Sequence, residues 1–154
     1  MNNADSSAAA RLAINPSAAT VAVTELEMSA PASAVWAVLT DFAGWPSWMP
    51  EISSARLDGP LAPGSVIVWT PYEAHVESRI VLLENERRLI WNGTAGAVHI
   101  WELSPMANGT LLLNSESIES WQAVDAGQDS SAVLTQALNT WNARLAEQAL
   151  RRGA

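Results

Sequence analysis

Between Thr20 and Trp121 apolar and polar residues alternate, and beyond Asp129 the apolar ones recur every three or four positions. The alternation predicts strands at roughly 20–29, 52–58, 65–71, 73–84, 87–93, 97–105 and 109–121. Breaks fall at Gly59-Pro60, Gly64, Asn85, Gly93, Gly96 and Asn108-Gly109, where turn residues interrupt the pattern. The last segment, about 129–151, reads as a helix. Leu134, Leu138, Trp141 and Leu145 form an i, i+4, i+7, i+11 stripe, and Asp129 or Ser130 can cap its start. Arg144, Arg151 and Arg152 sit toward the negative end of the helix dipole. A short helix follows the first strand. Pro31 suits a first helical position, Val35, Val38, Leu39 and Phe42 share one face, and Gly44 and Pro46 stop it.

Turn chemistry sets which residues share a face. A two-residue loop at 107–108 or 108–109 closes the Asn108-Gly109 hairpin, so paired positions sum to about 215 or 217. In both registers His99, Trp101 and Leu103 lie beside Leu112, Asn114, Glu116 and Ile118. The opposite face carries Val98, Ile100 and Glu102 with Leu111, Leu113, Ser115, Ser117 and Glu119. A short turn at 84–86 groups Ser78, Ile80 and Leu82 with Leu89 and Trp91, leaving Glu77, Arg79 and Arg88 opposite. Unpaired charges rarely stay buried, so the Arg/Glu face is assigned to solvent and the Trp face to the helix.

The stretch Ala30–Ser65, APASAVWAVLTDFAGWPSWMPEISSARLDGPLAPGS, resembles the START-like superfamily in its polyketide cyclase/dehydrase, Bet v 1-like (SRPBCC) branch. The opening "APA..VW.VLTD", the following "W..W.P" and the "G.L..GS" turn carry the likeness. It continues through "RRLIWNGTAG", "HIWEL" and "GTLLLNSES", over roughly residues 20–150. The resemblance implies an α+β helix-grip fold. In that fold a seven-stranded curved antiparallel sheet surrounds a long C-terminal helix, two short helices follow strand 1, and a cavity lies between sheet and helix. The superfamily includes cyclases, lipid carriers, hormone receptors and chaperone activators, so activity is read from the site residues.

Composition narrows the partners. With 154 residues, one domain is expected: a leader at 1–19, rich in Ala, Ser and Asn and read as disordered, then a ligand-binding domain at 20–152. Hydrophobic residues make up 49% and charged residues only 16%, so much of the chain must be buried or line something apolar. The net charge of −8 opposes binding to nucleic acid or an anionic membrane. No run approaches the ~18 apolar residues of a membrane span. The leader lacks a secretory pattern, and a cytoplasmic location is the default. There is no cysteine, which excludes disulfides and thiolate chemistry. A homodimer is left open.

Chemistry concentrates on the inward face. His99 and Glu116 are opposed or diagonal neighbours there, within reach of each other. A carboxyl on an apolar concave face is costly unless paired, ligand-bound or protonated. Two readings follow: an acid–base pair, with Glu116 and His99 catalytic, or a hydrogen bond bracing the sheet. Trp69, Trp91, Trp101, Asn114, Trp121, Leu138 and Trp141 are the candidate substrate-binding residues, with Trp45 a further candidate wall. Trp36 and Trp48 read as structural. His75 reads as a surface residue. The spacing of His, Asp and Glu is not that of a metal site, and neither a nucleophile elbow nor a phosphate loop occurs, so no metal or cofactor is expected. The function expected is cofactor-free cyclisation or dehydration of a hydrophobic, polyketide-like molecule by general acid/base action. The alternatives are a non-catalytic carrier or sensor, and a chaperone-activator-type interaction domain.

Overall fold

A computed structural model describes residues 9–121, 124, 125 and 127–153. Strand β1 (Thr20–Met28) leads into helix α1 (Ala32–Leu39), a 3-10 turn (Phe42–Gly44) and the four-residue helix α2 (Trp45–Trp48). Six strands follow: β2 (Ile52–Asp58), β3 (Val66–Pro71), β4 (Val76–Glu84), β5 (Arg88–Gly93), β6 (Val98–Met106) and β7 (Gly109–Ile118). The long helix α3 (Ser130–Gly153) comes last. All seven strands form one antiparallel sheet in the order β1-β7-β6-β5-β4-β3-β2. This is the helix-grip architecture. None of the described helices is long and apolar enough to cross a membrane.

Local chemistry accounts for the elements. Pro31 stands at the N-cap of α1, one residue before the first helical position, and Thr40 ends that helix through its backbone N–H and hydroxyl on the Trp36 carbonyl. Asp129 caps α3 by accepting from the Ala132 N–H at 3.2 Å. Leu134, Leu138, Trp141 and Leu145 are all buried on the face that meets the sheet. At Gly109 any Cβ would collide with the Met28 carbonyl oxygen, so only glycine lets the β6–β7 hairpin pack against the end of β1. The strands predicted at 73–84 and 109–121 begin later, at Val76, and end earlier, at Ile118.

The β6–β7 pairing follows the first of the two registers, with His99 opposite Glu116. In β4–β5 one expectation needs correction. A bulge between Ile80 and Leu82 shifts the register, so Leu83 pairs with Leu89 while Leu82 pairs with Ile90 and packs on the outer face. One extra residue reverses every later side chain.

The outer face is not wholly solvent. Ile90, Val98 and Ile100 are buried there, with Ile14, Val81 and Leu82 packed against them. Residues 9–19, the second part of the segment read as a disordered leader, run across this surface. The Arg11 N–H donates to Asn92 Oδ1 and Asn92 Nδ2 donates to the Arg11 carbonyl, both at 2.9 Å, while the Asn15 N–H donates to Ser117 Oγ at 2.9 Å. Residues 1–8 lie outside the described residues. A leader rich in small residues has no amphipathic period, so its one useful anchor, Ile14, passes unnoticed in the sequence.

Candidate functional site

Strands β1, β7, β6 and β5 place Ala22, Glu116, His99 and Trp91 side by side in one row of the inner face. The next row brings Thr24, Asn114, Trp101 and Leu89 together. Helix α3 lies over these rows and contributes Asn142 and Trp141. Thr24, His99, Asn114 and Asn142 are buried, and Glu116 alone keeps a path to solvent, with 14% of its side chain exposed.

Hydrogen bonds join the polar members into a line. His99 Nε2 bonds Asn114 Oδ1 at 2.6 Å, Asn114 Nδ2 donates to Asn142 Oδ1 at 2.8 Å, and Asn142 Nδ2 donates to Thr24 Oγ1 at 2.9 Å. Thr24 Oγ1 in turn donates to the Asn114 carbonyl at 2.7 Å. On its other side the imidazole turns Nδ1 to Glu116 Oε1, 3.5 Å away. Trp101 stacks on the ring, with centroids 4.9 Å apart and planes 15° apart, and Trp91 meets it edge-on at 4.7 Å. His99 Nδ1 and Trp101 Nε1 are buried without a hydrogen-bond partner among the described residues.

Burial sets the charge states. It lowers the His99 pKa from 6.5 to about 4, against a smaller opposing effect of the Asn114 hydrogen bond. It raises Glu116 from 4.5 to about 8. Near pH 7 the contact is therefore between a neutral imidazole and a protonated carboxyl, not an ion pair.

These shifts predict a pH dependence of folding. Between about 4.5 and 8 the folded state holds a Glu116 proton that the unfolded chain has released, so stability falls as pH rises. His99 acts oppositely between about 4 and 6.5, where the unfolded chain binds the extra proton. The two slopes offset where they overlap. Above the His99 window a net loss on the order of 1 kcal/mol per pH unit remains until Glu116 has titrated. Melting temperatures measured from neutral to mildly alkaline pH check this. A flat profile, or the same slope in Glu116→Gln, contradicts it.

The tryptophans named from the sequence gather beside this line. Trp45, wholly buried, has ring centroids 5.5 Å from Trp69, 5.8 Å from Trp91 and 5.0 Å from Trp141, and its Nε1 donates to the Leu39 carbonyl at 2.9 Å. Trp101 and Trp141 are 5.2 Å apart, and Trp69 Nε1 donates to Ser78 Oγ at 3.1 Å. Mostly edge-to-face, these rings fill space between sheet and helix where the resemblance implied a cavity. Leu138 belongs to the same core, Trp121 packs against it half-buried, and Trp36 and Trp48 are buried as expected of structural residues. Asn114, expected to meet substrate, instead commits its amide to His99 and Asn142. His75 is exposed and pairs with Glu77 at 3.0 Å. No cluster of metal-ligating side chains occurs among the described residues.

Sequence reasoning missed Thr24 and Asn142. Both carried a signal: Thr24 has the inward parity of β1, and Asn142 stands at i+4 from Leu138 on an otherwise apolar stripe.

Residues 19–153 match the model of a family described as polyketide cyclase / dehydrase and lipid transport. No curated protein matches the chain. Among solved structures, a START superfamily protein from Mycobacterium smegmatis superposes with a TM-score of 0.71 at 13% identity, over 85% of this chain and 97% of that one. A protein from Thermus thermophilus gives 0.71 at 16% identity, over 87% and 99%. The di-domain ARO/CYC StfQ from the steffimycin biosynthetic pathway gives 0.69 at 14% identity, over 88% of this chain and 51% of that one. At these identities the likeness is one of fold.

Proposed function

Because this chain belongs to the polyketide cyclase / dehydrase and lipid transport family, we propose that it binds a planar hydrophobic molecule against its indoles and transfers protons on it without a cofactor. The observation that carries the reading is the buried contact of His99 Nδ1 with Glu116, beside a second unpartnered polar atom, Trp101 Nε1. A buried donor or acceptor left unsatisfied costs about 1–3 kcal/mol. A core that only packs would be more stable with apolar residues there. A ligand hydroxyl would serve both, donating to the Nδ1 lone pair and accepting from the Trp101 N–H.

The chemistry follows from the protonation states. Neutral His99 Nδ1 takes a proton from a carbon next to a carbonyl, and the Glu116 carboxyl donates one to the oxygen that gains charge. For dehydration, the C–H and C–O bonds break, a C=C bond forms and water leaves. For cyclisation, the carbanion attacks a second carbonyl, whose oxygen takes the Glu116 proton. Return of the proton from Nδ1 to the carboxylate, 3.5 Å away, resets the pair.

The second reading, an interaction domain with no ligand chemistry, is favoured by the ring-on-ring packing of Trp45, Trp69, Trp91 and Trp141, because a guest, carried or converted, would have to part those rings. Intrinsic fluorescence tests binding itself. Flat ketones, polycyclic phenols and fatty acids form the panel, and one class is expected to quench saturably. Quenching weakened by Trp101→Ala in protein that still folds would locate the guest. No response to any class would favour the interaction-domain reading.

A further inference from the structure

The hydrogen-bonded line behind His99 has a direction, and a backbone carbonyl sets it. The Asn114 carbonyl oxygen can only accept, so Thr24 Oγ1–H donates to it at 2.7 Å. With its one proton committed, Thr24 Oγ1 must accept from Asn142, and the Nδ2 of that amide faces it at 2.9 Å. This turns Asn142 Oδ1 toward Asn114, whose Nδ2 donates at 2.8 Å. Asn114 Oδ1 is left facing the imidazole. A carbonyl oxygen 2.6 Å from Nε2 requires the ring proton on that nitrogen. A neutral imidazole carries one N–H, so Nδ1 is left with its lone pair.

We infer that Thr24 and Asn142, acting through Asn114, are positioning residues that hold His99 in its Nε2–H tautomer and aim the Nδ1 lone pair at Glu116, 3.5 Å away. The inference rests on the reading of His99 as a base, and gives the reason that Nδ1 is the basic atom. In the other tautomer Nδ1 would present a proton to Glu116, and no base would face the carboxyl. A network that merely braced the sheet would serve in either direction, with both amides flipped and the other His99 tautomer. Three strands and a helix are committed to this one, since Thr24 lies on β1, Asn114 on β7, His99 on β6 and Asn142 on α3.

Nitrogen NMR reads the tautomer without a substrate. The chain has only two histidines, and exposed His75, paired with Glu77 away from the relay, gives the second set of signals, which the relay variants should leave unchanged. In full-length protein labelled with ¹⁵N-histidine, two-bond correlations near pH 7 should give His99 a pyrrole-like Nε2 and a pyridine-like Nδ1. Thr24→Val and Asn142→Leu should move intensity toward the Nδ1–H pattern, and Thr24→Ser should keep the wild-type pattern. Backbone amide spectra report folding in each sample. If Asn142→Leu does not fold, the near-isosteric Thr24→Val carries the comparison. A wild-type His99 in the Nδ1–H or an averaged state overturns the inference, and so does an unchanged Nε2–H pattern in folded Thr24→Val. A locked tautomer combined with unimpaired turnover in Glu116→Gln would sink the acid–base reading alone and leave the relay standing.

Discussion

Glu116→Gln is expected to keep ligand binding and to lose turnover by roughly 10²-fold or more, the scale of general acid–base catalysis. The amide matches the carboxyl in shape but cannot deliver a proton to the substrate or receive one back from His99 Nδ1. The measurement is single-turnover kinetics on whichever ligand class quenches the tryptophans, beside a binding isotherm for the same compound. If Glu116 only braces His99, the substitution should spare activity and lower stability by about 1–3 kcal/mol, the cost of spoiling a buried polar contact. His99→Gln is the companion. Two groups that pass one proton between them should give a double variant little worse than either single one, whereas independent contributions would add. Unchanged turnover together with an unchanged melting temperature would refute both roles.

Leu138→Asp is expected to unfold the domain. Leu138 is buried in the core that joins α3 to the sheet, in the same cluster as Leu134, Trp141 and Leu145. A carboxylate there would have no cation to meet, and burial of an unpaired charge belongs with the most damaging single substitutions, on the order of 4–5 kcal/mol or more. Domains of this size have only ~5–15 kcal/mol in total. Leu138→Ala sets the scale, since it should cost about 2–5 kcal/mol through lost contacts and the void it leaves. Near-UV circular dichroism reports the loss, because the packed indoles supply its signal. A folded Leu138→Asp protein that melts near the wild type would show that α3 does not pack into the grip of the sheet.

Much of this molecule was legible in the chain because period and turn chemistry are local. Alternation up to Ile118 and the Leu134–Leu145 stripe specify a meander and a helix with one apolar face each, and two such faces have only each other to cover. The Asn108-Gly109 hairpin by itself makes His99 and Glu116 neighbours, since side-chain parity across a tight turn leaves few choices. Parity fails where one residue is inserted, and the bulge between Ile80 and Leu82, with no Gly or Pro to mark it, sent Leu82 to the outer face. Contacts between residues far apart in the chain are decided only by the tertiary structure. Ile14 reaches the outer cluster across the sheet, and the tryptophans of α2, β3, β5 and α3 meet in one interior. Thr24 and Asn142, 118 positions apart, close the relay behind His99. A sequence period reports which way a side chain points, but the partner it meets depends on how strands and helix are brought over one another. For His99 that partner decides which nitrogen carries the proton.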